Sequence, residues 1–147
     1  MWSVGQCVEH LYITNHVYLE PISLALVGGR LGAVDEITPG WLGRWFIRRY
    51  IEPSSNGARR RAPRKIKPPS RVEPSVLRRF LTSNDRAREL VRSAGSHDVN
   101  QIRFKNPFVP LLRFTVGTGF EIVSKHQRRH LLQAERIRSS PGFPGID

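Results

Sequence analysis

Apolar positions at the start of the chain recur in steps of three and four residues: Val4, Cys7, Leu11, Thr14, Tyr18 and Ile22 fall on one side of an α-helix. Ser3 and Gln6 precede this stripe at the spacing of a capping box, in which each side chain satisfies a backbone donor that the helix start leaves open. A first helix is therefore predicted from Ser3 to about Leu26. Pro21 is expected to bend it rather than end it, because Ile22, Leu24, Ala25 and Leu26 continue the pattern. Gly28, Gly29, Gly32, Pro39 and Gly40 then mark a connection. Trp41, Leu42, Trp45, Phe46 and Tyr50, interleaved with Arg44, Arg48 and Arg49, predict a brief amphipathic helix.

Residues 52–71 have the composition of a loop. A second long helix opens with Pro74 in its first turn and carries Val76, Phe80, Ala87, Leu90, Val91 and Ala94 inward, ending near Gly95. From Ile102 to Arg113, Pro107 and Pro110 forbid a regular helix, and an extended crossing that packs Phe104, Phe108 and Leu111 is expected. The last helix should start at Thr115, a good N-cap, and stop near Arg138 before Ser139, Ser140 and Pro141. Its inward stripe is Val116, Phe120, Val123, His126 or Gln127, His130, Ala134 and Ile137. Gly117 and Gly119 each cost about 1 kcal/mol relative to Ala in a helix, which predicts a frayed first turn.

With 147 residues, 39% of them hydrophobic, the pattern amounts to one all-α domain over 1–147 with a basic Pro/Arg-rich loop at about 52–71. Pro21, Gly28, Gly29 and Arg30 interrupt the longest apolar stretch, so no membrane span is expected. The N-terminus has neither a basic segment nor an apolar secretory core, which points to a cytoplasmic protein. Cys7 is the only cysteine, and this excludes both an internal disulfide framework and a cysteine-rich zinc site.

The net charge of +12 raises the question of nucleic acid. Much of the excess lies in Arg59, Arg60, Arg61, Arg64, Lys65, Lys67 and Arg71, broken by Pro63, Pro68 and Pro69. That run cannot be a regular helix and has no aromatic ring on which a base could stack. A solvated loop is the preferred reading, with a polyanion contact through residues 59–71 as the alternative.

His126 and His130 stand one helical turn apart, close enough for both imidazoles to reach one metal ion. Two ligands make a weak site. His10, on the inward stripe of the first helix, would supply a third if those helices are neighbours, and three protein ligands leave a position open for water or substrate. The spacing is not that of the helical zinc proteases, since Gln127 stands where their general-base Glu would be. His16 and His97 are expected in solvent, Cys7 as a small buried hydrophobe, and Glu9 and Glu121 as helix-surface charges.

The segment from Trp2 through Ser3, Val4, Gly5, Gln6, Cys7, Val8, Glu9 and His10 to Leu11 resembles one signature of the DinB-like superfamily. Asn106-Pro107-Phe108 and then His126-Gln127-Arg128-Arg129-His130-Leu131-Leu132-Gln133 are similar to its later ones. The resemblance implies a four-helix bundle of up-down-down-up connectivity and a three-histidine site for a divalent ion, zinc or nickel, with ligands matching His10, His126 and His130. It also implies a small-molecule or thiol substrate for a metal-dependent S-transferase or hydrolase. Members of the superfamily carry a further helix before the Trp-Ser signature, whereas here Met1 abuts Trp2. Three main helices and one short helix are therefore expected. The short helix around Trp41 to Tyr50, or a second copy in a homodimer, is the candidate cover for the apolar face.

Overall fold

The computed structural model describes residues 2–52, 61–109 and 111–143. Three long helices make its frame: α1 (Val4–Leu26), α3 (Val76–Ser93) and α4 (Val116–Arg138), with a short α2 (Trp41–Phe46) in the first long connection. At the head of α1 the capping box closes as expected, with the Gln6 amide donating to Ser3 Oγ at 3.2 Å and the Ser3 amide to Gln6 Oε1 at 3.0 Å. The helix runs unbroken through Pro21. Its buried stripe of Cys7, Leu11, Tyr18 and Ile22 supplies in tertiary packing what the lost backbone bond removes.

α1 sits between the other two. Glu9 and Asn15 of α1 meet Arg79 and Ser83 of α3, so the two helices run in the same direction. Asn15 also meets Gln127 of α4, while Ile22, farther along α1, lies against Gly119, earlier in α4, so that pair is antiparallel. Down, down, up is the order of the last three helices of an up-down-down-up bundle. Two consecutive parallel helices need a long crossover, and residues 27–75 supply it.

Within that crossover α2 runs into a π-helical turn, Ile47–Ile51, closed by the bond from the Glu52 amide to the Ile47 carbonyl at 2.9 Å. Ile47 and Ile51 turn inward against α4. Trp41, at 74% exposure, and Trp45 face out instead, so the amphipathic helix is real but its apolar anchor is isoleucine rather than tryptophan.

Residues 102–113 differ from the expected extended crossing. β1 (Arg103–Lys105) and β2 (Arg113–Thr115) pair antiparallel with Phe104 opposite Phe114, and both rings are buried beside Ile22, Ile102 and Phe120. Leu111 lies at the hairpin tip, 99% exposed, while Leu112 packs partly inward in its place. Asn106 stabilises the loop, its Oδ1 accepting from the amides of Phe108 and Val109 at 2.8 and 3.0 Å. On α3, Val91 is half exposed and Ser83 takes a buried position with Val76, Phe80 and Ala87.

The first turn of α4 is not frayed. Thr115 caps it by accepting from the Thr118 amide at 3.2 Å, and Gly117 and Gly119 are buried. A Cβ on Gly119 would stand 2.7 Å from Ile22 Cδ1 and 2.8 Å from Phe104 Cε1. The glycine lets α4 approach α1 and the hairpin closely, and the packing gained outweighs its poor helix propensity.

Candidate metal centre

The antiparallel packing of α1 on α4 brings His10 opposite His126 and His130. All three are buried, at 1%, 8% and 7% exposure. Their ring centroids stand 4.5 to 4.9 Å apart, and one nitrogen from each lies within 4.8 Å of the other two. His10 Nε2 is 3.2 Å from His126 Nε2. Two ligands bonded at about 2.0 to 2.1 Å in tetrahedral geometry stand about 3.3 Å from each other, so this spacing is that of two corners around one ion.

The tautomers agree with that geometry. His10 Nδ1 sits 2.6 Å from the carbonyl of Ile66, which can only accept, so Nδ1 carries the proton and Nε2 offers a lone pair. His130 Nδ1 lies 3.0 Å from Gln133 Oε1, which fixes the same tautomer. A carbonyl-type acceptor behind a ligating imidazole is the usual support of a metal site. His126 lacks one, since its buried Nδ1 has no hydrogen-bond partner among the described residues. Three imidazole nitrogens converging without a carboxylate form a donor set suited to a divalent ion such as zinc or nickel.

Burial first, then the neighbouring imidazoles and Arg129, pull His126 down to about 2. Burial, His10 and the same guanidinium bring His130 to about 3, and burial also lowers His10. All three are therefore neutral at neutral pH, the state in which an imidazole binds metal. Trp2 closes one side of the cluster, its ring 4.9 Å from that of His10 and 6.0 Å from that of His130.

The remaining expectations divide: Cys7 and His16 came out as expected, Glu9 and His97 did not. Glu9 is not a surface charge: it is 6% exposed and binds Arg79 at 2.6 Å, with no hydrogen bond to an imidazole. Glu121 is half-buried and pairs with Lys125 at 3.3 Å. Cys7 is fully buried and burial pushes its thiol up to about 11, so it stays a protonated small hydrophobe. His16 is exposed, its ring on Tyr12, and His97 is half-buried rather than solvated. Of the basic run, Arg59 and Arg60 lie outside the described residues. Arg64–Ile66 form a 3-10 turn that buries Ile66 and presents its carbonyl to His10, so part of the run serves the histidine cluster from behind.

Sequence reasoning missed the Ile66 carbonyl, Gln133, Trp2 and Arg129 as neighbours of the cluster. Gln133 alone left a local signal, one turn beyond His130 on the same helix. Among the described residues no helix is long and apolar enough to cross a membrane. No curated protein and no solved structure matches the chain. A family model of the DinB superfamily matches residues 1–134, a span that takes in all three histidines and every helix up to the last turn of α4, and the chain belongs to that superfamily.

Proposed function

We propose that this protein binds one divalent transition metal ion, zinc or nickel, through the Nε2 atoms of His10, His126 and His130. The open coordination position then serves a metal-dependent thiol S-transferase or hydrolase reaction on a small cytoplasmic substrate. The observation that carries this reading is the 3.2 Å approach of two buried imidazole nitrogens, with a third ring against both. A hydrogen bond between His126 Nε2 and His10 Nε2 would satisfy only that pair, whereas an ion would engage a lone pair from all three rings.

When bound, such an ion lowers the pKa of a coordinated water or thiol toward neutrality. The residues around it have separate tasks. The Ile66 carbonyl and Gln133 hold two of the rings in the tautomer that presents Nε2. Trp2 shields the rings on one side and limits access of bulk water. Cys7 does not join the cluster of ligating atoms and packs as a small buried hydrophobe.

The test is elemental analysis of protein purified without a histidine tag. About one divalent ion per chain is expected, with loss of the ion in His126→Ala. Full occupancy in that variant would refute the assignment. A screen of the metal-loaded protein with thiol acceptors and with ester and amide substrates then separates transferase from hydrolase.

A further inference from the structure

The outer face of α2 and its π-helical turn is not the polar face of an ordinary surface helix. Trp41, Arg44, Trp45 and Arg48 recur at steps of three and four residues, so they share one side, while Leu42, Gly43, Phe46 and Ile47 take the other. The inward side does the packing: Gly43 lies against Thr118, Phe46 against Phe114, and Ile47 is buried. Trp41 and Trp45 are left 74% and 50% exposed. Burying a tryptophan stabilises a fold at least as much as burying an isoleucine, so core packing alone gives no reason to turn these rings outward.

The cations between the rings are equally unspent. Arg44, Arg48 and Arg49 are exposed, residues 37–51 contain no Asp or Glu, and none of the three arginines is within ion-pair distance of a carboxylate among the described residues. Glu52, next along the chain, is held by Lys125 at 3.1 Å. The platform itself is fixed. Arg44 Nη1 donates to the Pro39 carbonyl at 3.0 Å, and Arg129 Nη1 donates to the carbonyls of Tyr50 and Ile51 at 3.1 and 3.2 Å, which ties the far end of the turn to α4.

We infer that this face binds single-stranded nucleic acid, with bases stacked on Trp41 and Trp45 and phosphates held by Arg44, Arg48 and Arg49. Unpaired bases need flat rings and their backbone needs cations beside those rings. The basic run at 59–71 offers cations alone, whereas α2 presents both on one side of one helix. The net charge of +12 draws a polyanion to the chain from a distance. A second copy fits poorly, because a twofold contact would set this arginine cluster against itself. A lipid-inserting face would carry aliphatic side chains outward, and here Leu42, Ile47 and Ile51 point into the core. The inference stands apart from the metal reading and needs no ion.

The experiment follows fluorescein-labelled oligo(dT) and oligo(U), each of about 15 nucleotides, by anisotropy with the full chain over a range of salt concentrations. Both are expected to bind, and Trp41→Ala/Trp45→Ala should weaken them at least about tenfold, while Trp41→Tyr/Trp45→Tyr, which keeps the ring faces, should restore most of the affinity. Arg44→Gln/Arg48→Gln/Arg49→Gln should reduce the slope of log affinity against log salt by about 2, the share of three phosphate contacts on a single strand. Affinity that is unchanged in Trp41→Ala/Trp45→Ala but lost in Arg59→Gln/Arg60→Gln/Arg61→Gln overturns the inference in favour of a purely electrostatic contact by the basic run. Absence of binding at low salt also overturns it. So does equal or tighter binding of polyglutamate or of phosphatidylserine vesicles that depends on the same tryptophans, or self-association that their removal abolishes.

Discussion

Acid should unfold the metal-free protein from a pH well above the range in which carboxylates titrate. Burial holds His126 near 2 and His130 near 3 in the folded chain, whereas in the unfolded chain each returns to about 6.5. Above pH 6.5 both states are neutral and the two histidines contribute no pH dependence. As pH falls below 6.5 the unfolded state takes up protons that the folded state refuses, so stability drops by about 1.4 kcal/mol per pH unit for each histidine. Between pH 7 and pH 5 the pair removes roughly 4 kcal/mol, a large fraction of the 5 to 15 kcal/mol that holds a domain together. His10 is shifted in the same direction and adds to the loss. Urea unfolding of EDTA-treated protein, followed by circular dichroism at half-unit intervals, measures the slope. The double variant His126→Leu/His130→Leu should flatten it. Stability that is level from pH 7 to pH 5, or a slope unchanged in that variant, would refute the reasoning.

Metal should offset this lability: zinc at a thousandfold over its Kd adds about 4 kcal/mol, visible as a raised Tm, and because His126 and His130 stay neutral in the folded chain well below pH 5, the gain should persist at pH 5. Gly119→Ala should destabilise by about 1 to 3 kcal/mol despite alanine's better helix propensity, because the new methyl meets Ile22 and Phe104. Gly95→Ala, where a Cβ meets nothing within 4 Å, should be neutral by the same urea assay. Arg79→Ala leaves the Glu9 carboxylate, 6% exposed, without its partner and should cost about 3 to 5 kcal/mol, most of it recovered in Glu9→Gln/Arg79→Met.

Local chemistry explains which parts of this structure could be read from residues alone. Ser3 with Gln6 is a contact three residues apart and Thr115 is an N-cap by residue type, so the starts of α1 and α4 were visible locally. The stop of α4 after Arg138 was equally local. Leu111 failed because exposure at a hairpin tip follows from the pairing of Phe104 with Phe114, and no periodicity within a three-residue strand announces that pairing. Gly119 failed for the opposite reason. Helix propensity is a property of the residue, whereas the benefit of a missing Cβ belongs to Ile22 and Phe104, far away in the chain. Glu9 was misjudged because its partner, Arg79, is on another helix.

The histidine cluster shows where those two kinds of information meet. His126 and His130 share a face by helical spacing alone, and that much was legible. His10 joins them only if α1 and α4 lie antiparallel in one register, because an error of one turn shifts a ligand by about 5.4 Å, more than a metal bond tolerates. Two contacts hold that register. Reading up α1 from His10, Asn15 accepts from Gln127 Nε2 at 3.0 Å, and farther on Ile22 closes over Gly119. Reading down α4 from His130, the same partners follow in the same order. The glycine, a weakness by helix propensity alone, therefore pins the far end of the helix pair whose near end brings His10 Nε2 within 3.2 Å of His126 Nε2. A bulky residue at position 119 should then loosen metal binding as well as stability, although it lies about two turns from the nearest ligand in α4.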